Sequence, residues 1–162
     1  MKLPLQFSKE VVEHSDTAIR LGIDNSASAE VLENAEALYT NVLIPLRIRL
    51  SIKFGRQIEL YINSWFRCPQ LNAEVRGSDK SQHLRGMATD TYVVGITFDE
   101  YYSAVKELIL NKKLPIDQCI KEYGKRPETN DDDWLHLSHN PNGINRGNLL
   151  IKEKGKPYIR DV

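Results

Sequence analysis

Hydrophobic periodicity changes once along this chain, near residue 55, and that change constrains the fold more than any other feature. Before it, apolar residues recur at helical spacing. The segment "SAEVLENAEALYTNVLIPLRIRLSIKFG" places Val31, Leu32, Ala35, Leu38, Val42, Leu43 and Leu46 on one stripe. Pro45 lacks the amide hydrogen that a continuous helix needs, so it kinks or divides that helix. "SKEVVEHSDTAIRLG" opens on a serine cap and stops at Gly22. After residue 55 the pattern shortens. "IELYINSWF" (58–66), "GMATDTYVVG" (86–95), "DQCIKEYG" and "DWLHLSHN" read as strands, and "NLLIKEKGKPYIRDV" as a terminal hairpin turning near Gly155. "PQLNAEVRG" reads as a short helix with proline in its first turn and Gly77 beyond its end. One long helix interrupts the strands. In "TFDEYYSAVKELILNKKL", Phe98, Tyr101, Val105, Leu108 and Ile109 share a face, and Thr97 can cap it.

Helices first and strands later point to a small α+β domain with an antiparallel sheet flanked by helices. The 162 residues suit a single domain over 1–162, helical over 1–55 and sheet-bearing over 56–162. Formal net charge is zero, so no basic footprint points to nucleic acid or to an anionic membrane. No apolar run approaches the roughly 20 residues that span a bilayer. The opening "MKLPLQFSKEVVEHSD" has no apolar signal core, so the expectation is synthesis into a cytoplasm without stable membrane association. A monomer is the expected state. Cys68 and Cys119 have no second cysteine nearby and read as free buried thiols.

The chemistry concentrates in "SQHLRGMATDT" (81–91) and "DDDWLHLSHN" (131–140). His83 and Asp90 cannot meet on regular structure, because seven residues rise about 10 Å in a helix and extend about 23 Å in a strand. They converge only if the chain turns between them, and Gly86 can supply that turn. On the strand that follows, Ala88, Asp90 and Tyr92 face one side, and Met87, Thr89, Thr91 and Val93 the other. Spacing alone leaves a second reading open, and favours it: a loop histidine and a solvated aspartate that never meet. In the later segment Leu135 and Leu137 point into the core, while Trp134, His136 and Ser138 point away. His136 is then the candidate third ligand. His139, on the opposite face, reads as a surface residue, and His14 as a surface or packing residue. Asp131 and Asp132 read as a solvated acidic loop. Asp133 follows the fate of His136.

Two histidines and a carboxylate form a common catalytic zinc shell with one position left for water. Zinc lowers the pKa of such a water to roughly 7. A nearby carboxylate can take its proton, and a cation such as Arg67 can stabilise the developing oxyanion.

These residues resemble a known family. "SQHLRGMATD" fits the Ser-x-His-x-x-Gly-x-Ala-x-Asp motif of zinc D-Ala-D-Ala carboxypeptidases and L-alanyl-D-glutamate peptidases, and Asp133-Trp134-Leu135-His136 fits their second signature. "WFRCPQLNAEVRGSDKSQH", "HSDTAIRLGIDN" and "VLENAEALYTNVLIPLR" are similar to segments of the phage and prophage lysin subgroup, so the resemblance runs over roughly residues 5–140. It implies a hedgehog/DD-peptidase-like α+β fold and one zinc ion per chain on His83, Asp90 and His136. It implies Asp133 as general base and acid, and Arg67 as the residue that holds substrate and the oxyanion. Ser81 matches a position near the substrate, and Trp134 joins that set. Relatives often have Ser-Gly-Tyr-Arg-Ser where this chain has Ser64-Trp65-Phe66-Arg67-Cys68, so Trp65 and Cys68 bear on the pocket's shape.

The implied activity is hydrolysis of an amide bond in peptidoglycan stem peptides, as a D,D-carboxypeptidase or endopeptidase. The lack of a signal core suits an endolysin released to the wall during phage lysis, and also a cytoplasmic enzyme trimming precursors. The alternative is a non-catalytic zinc-containing module that binds cell wall or builds a virion.

Overall fold

The computed structural model describes residues 3–123, 133–153 and 155–161. The helical half begins with two short helices, because Ser8 and Ser15 each cap one. Ser8 accepts the Val11 amide at the start of α1 (Lys9–Glu13), and Ser15 accepts the Ala18 amide at the start of α2 (Asp16–Leu21). Pro45 divides the next stretch, as its chemistry requires. Helix α3 (Ala29–Leu38) passes into a wide π turn over Tyr39–Leu43, and α4 (Ile44–Phe54) begins with Pro45 in its first turn.

Among the described residues, seven strands follow the order β1-β2-β3-β5-β4-β6-β7 in one sheet. They are β1 (Leu3–Pro4), β2 (Glu59–Ser64), β3 (Ala88–Val94), β4 (Gln118–Glu122), β5 (Trp134–Ser138), β6 (Asn148–Lys152) and β7 (Ile159–Arg160). Every pairing is antiparallel except β4 with β6. Helix α5 (Pro69–Glu74) follows β2, and α6 (Phe98–Leu110) links β3 to β4. Thr97 and Glu100 form a reciprocal capping box at the start of α6.

The sheet has two unlike faces. Leu60, Ile62, Cys119, Leu135, Leu137 and Leu149 belong to the buried core, with Leu38, Leu46 and Leu50 from α3 and α4 and Tyr101 and Val105 from α6. Thr91 bonds the Tyr101 hydroxyl at 2.9 Å, which fixes α6 on this face. The residues alternating with these on β3, β4 and β5 project to the other side, where there is an open cavity. The expected alternation along 87–93 and 134–138 is therefore realised.

The one parallel pairing needs a crossover around the start of β4, and Asp117 secures it. Its backbone bonds Ser138 and Asn148, and its carboxylate takes three bonds from Arg146 (2.6–3.1 Å) and one from Gln82 (3.1 Å). Asp117→Ala should lower stability by about 2 kcal/mol at neutral pH, read as a lower urea midpoint at unchanged slope. Burial raises the Asp117 pKa, but the Arg146 hydrogen bonds and charge, with Gln82, outweigh it and hold the carboxyl below its ordinary value. A depressed pKa adds stability that is present above the unfolded value of about 3.9 and is lost as pH falls through the folded value. The gap between wild type and variant should therefore be constant near neutrality and close below about pH 4. A gap that persists undiminished at pH 3 would assign it to packing instead.

Candidate metal centre

The turn that brings His83 to Asp90 rests on the helical half. His83 lies in a 3-10 turn (Gln82–Arg85) that ends at Gly86 with φ 71°. A side chain on Gly86 would also meet the Val31 carbonyl at 2.5 Å, so glycine is required there twice over. Asn34 of α3 bonds the Arg85 carbonyl at 3.0 Å, and the Trp65 indole bonds the Gly86 carbonyl at 3.2 Å. Trp65 is fully buried beneath this turn and does not line the cavity. Cys68 caps α5 through its sulfur. The unusual residues at these two positions thus act on the frame of the pocket rather than on its wall.

Strand register supplies the other two residues. Asp90 and His136 are direct partners across β3 and β5, so both project to the same face. His83, Asp90 and His136 are buried, at 1%, 4% and 7% exposure. His83 Nε2 lies 3.2 Å from Asp90 Oδ1 and 3.1 Å from His136 Nδ1, and His136 Nδ1 lies 3.1 Å from Asp90 Oδ1. A tetrahedral ion with bonds of 2.0–2.1 Å separates its ligand atoms by roughly 3.3 Å, so this triangle has the size of one face of a zinc shell.

The donor chemistry agrees with a cation. His83 Nδ1 lies 2.5 Å from the Trp65 carbonyl, which can only accept, so this nitrogen carries the proton. Burial, more than any neighbouring charge, lowers the His83 pKa and favours a neutral ring, although Asp90 opposes it. Its Nε2 then presents a lone pair to Asp90. Burial pushes the Asp90 carboxyl upward, but its polar neighbours, Arg67 among them, outweigh it and hold it well below the usual range. A bare nitrogen facing an ionised oxygen at 3.2 Å is repulsive unless a cation lies between them.

Arg67 lies just beyond the end of β2. Its Nη2 donates to Asp90 Oδ2 at 2.5 Å and its Nε to Ser64 Oγ at 2.9 Å. The carboxylate that faces the histidines with one oxygen is thereby oriented through the other. Asn25, at the end of "LGIDN", bonds the Phe66 carbonyl and the Cys68 amide on either side of Arg67. Asn25 lies within the "HSDTAIRLGIDN" segment, where no local pattern announces this clamp.

The triangle opens on a cavity of about 1110 Å³, whose wall includes Arg67, Ser81, Trp134 and also Glu122, Asp117 and Arg146. No local pattern points to the last three: strand register puts Glu122 on the face of His136, and Asp117 and Arg146 reach the cavity from the loops that lead into β4 and β6. Asp133 is half-buried just before β5 and is not among the described residues that line this wall. Asp131 and Asp132 lie outside the described residues. His139 is a correction. It is buried, with Nδ1 on the Pro115 carbonyl at 2.7 Å and Nε2 near the Asn41 amide at 3.3 Å, and so joins the β5 end to the helical half. His14 is half-buried, 3.2 Å from Asp16.

Residues 6–114 match the family model described as Peptidase M15. The chain belongs to the peptidase M15 family, the zinc D-Ala-D-Ala carboxypeptidase-like enzymes. No curated protein matches it. The matched segment holds Arg67, Ser81, His83 and Asp90 and stops before β4; His136 lies beyond it and joins the group through strand register. Members of this family depend on zinc, and the buried His83–Asp90–His136 group has the atoms to hold such an ion. No helix among the described residues is long and apolar enough to cross a membrane.

Purified wild-type protein should carry about one zinc per chain and His136→Ala close to none, by elemental analysis of folded protein. Chelation should also lower the wild-type melting temperature and leave that of His136→Ala unmoved. Full zinc in the variant would separate the two halves of the triangle.

Proposed function

We propose that this peptidase is a zinc enzyme that hydrolyses amide bonds in peptidoglycan stem peptides, as a D,D-carboxypeptidase or endopeptidase. The observation that carries the reading is the buried triangle of His83, Asp90 and His136 at the wall of an open, polar-lined cavity. Zinc, when bound, would acidify a water and polarise the amide carbonyl. The chain's own residues supply the rest. His83, held by the Trp65 carbonyl, and His136, set by strand register, offer their free nitrogens in fixed positions. Arg67 orients Asp90 and brings positive charge beside the carbonyl oxygen as it gains charge. Ser81 and Trp134 line the approach of the substrate. By its place three residues ahead of His136, Asp133 takes the proton of the attacking water. Release to the wall during phage lysis is the biological setting proposed with this reading.

Asp133→Asn is expected to keep its zinc and lose kcat by roughly 100-fold or more, measured as amines released from purified cell wall. Unchanged hydrolysis would remove Asp133 from the mechanism. A zinc-loaded wild type that releases no amine from cell wall would favour a non-catalytic wall-binding module.

A further inference from the structure

Four described carboxylates line the cavity: Asp16, Asp90, Asp117 and Glu122. Asp90 belongs to the triangle, and Asp117 is committed to Arg146 and Gln82. Asp16 pairs with His14 in the helical half. Glu122 differs from all three. Its carboxylate makes no hydrogen bond or ion pair among the described residues, yet it is half-buried on the cavity wall.

Its position follows from two registers. Ile120 of β4 is opposite His136, and Glu122 is opposite Trp134. Partners in an antiparallel pair project to the same face, and Glu122 is thus the diagonal neighbour of His136. Such neighbours are separated by roughly 7–8 Å between their backbones, a span that a glutamate side chain crosses with one water to spare. Directly across from it, the Trp134 indole N–H is buried without an acceptor. This part of the wall therefore holds an uncommitted carboxylate one step along from His136, beside the Trp134 ring.

We propose that Glu122 is a second catalytic carboxylate of this cleft, the group that gives a proton to the leaving amine. This rests on the peptidase reading above. The water's O–H bond breaks, its proton passes to Asp133, and its oxygen bonds the amide carbon. The C–N bond then breaks with its electron pair on nitrogen, which takes a proton from the Glu122 carboxyl. Solvent returns the proton from Asp133 to Glu122, so water and amide give carboxylic acid and amine with nothing left over. Burial, and after it the charge of Asp90, raises the Glu122 pKa to about 7, in keeping with a group that holds a proton near neutrality.

The test compares wild type, Glu122→Gln and Glu122→Asp as full-length, zinc-loaded protein on purified cell wall, with zinc affinity measured separately by competition with a fluorescent chelator. Glu122→Gln should bind zinc within about threefold of wild type, keep its KM within about threefold, and lose kcat by roughly 100-fold or more. Glu122→Asp should recover part of that loss. A Glu122→Gln variant with kcat within about threefold of wild type overturns the proposal. Zinc affinity lowered tenfold or more overturns it too, because Glu122 would then be a ligand. Inactive wild type would sink the peptidase reading and this proposal together, whereas active wild type with active Glu122→Gln sinks this proposal alone.

Discussion

One carboxylate organises this protein. Asp90 faces two imidazole nitrogens with one oxygen and a guanidinium with the other, and the carboxylate and both histidines are buried. Burying an anion is costly unless it is paired on every side. That requirement explains why the residues around it are themselves held. His83 is tied to the Trp65 carbonyl, Arg67 to Ser64, and the chain on either side of Arg67 to Asn25. Loosening any of these leaves charge in the interior without its partner.

The two halves of the molecule divide the work. The sheet sets distances, since register alone puts Asp90 beside His136 and Glu122 one step along from it. The helical half sets the turn. Val31 and Asn34 of α3 close on the His83–Gly86 segment, and Asn41 reaches His139 at the far end of β5. A helix bundle resting against an enzyme's sheet is readily taken for scaffolding. Here its polar side chains reach through to the backbone that aims the histidine.

Much of this was legible beforehand. Period changes marked the α+β order, Gly86 marked the turn, and alternation sorted 87–93 and 134–138 onto the correct faces. Pro45 announced the division between α3 and α4. What escaped was whatever depends on which strands are neighbours. Glu122 and Asp117 lie in and beside a strand that was recognised, but their significance comes from partners that no local pattern names. His139 reads as a surface residue because it falls on the opposite face from His136, yet alternation makes that the face of Leu135 and Leu137. It is buried because the Pro115 carbonyl and Asn41 satisfy both ring nitrogens. The parallel placement of β6 was hidden for the same reason, since it depends on Asp117 gathering bonds from the loop that follows β5.

The spacing of the triangle also bears on when the molecule becomes competent. Asp90 and His136 are 46 positions apart, and His83 and His136 are 53 apart. Chains emerge from the ribosome N-terminus first, at about 5–20 residues per second. The helical half and the His83–Asp90 turn are thus made seconds before β5 exists to complete them. A nascent or truncated chain carries two of the three groups and cannot close the set. For a protein whose proposed target is the cell wall, reactivity that waits for the last strands to dock is a built-in delay, written in the order of synthesis.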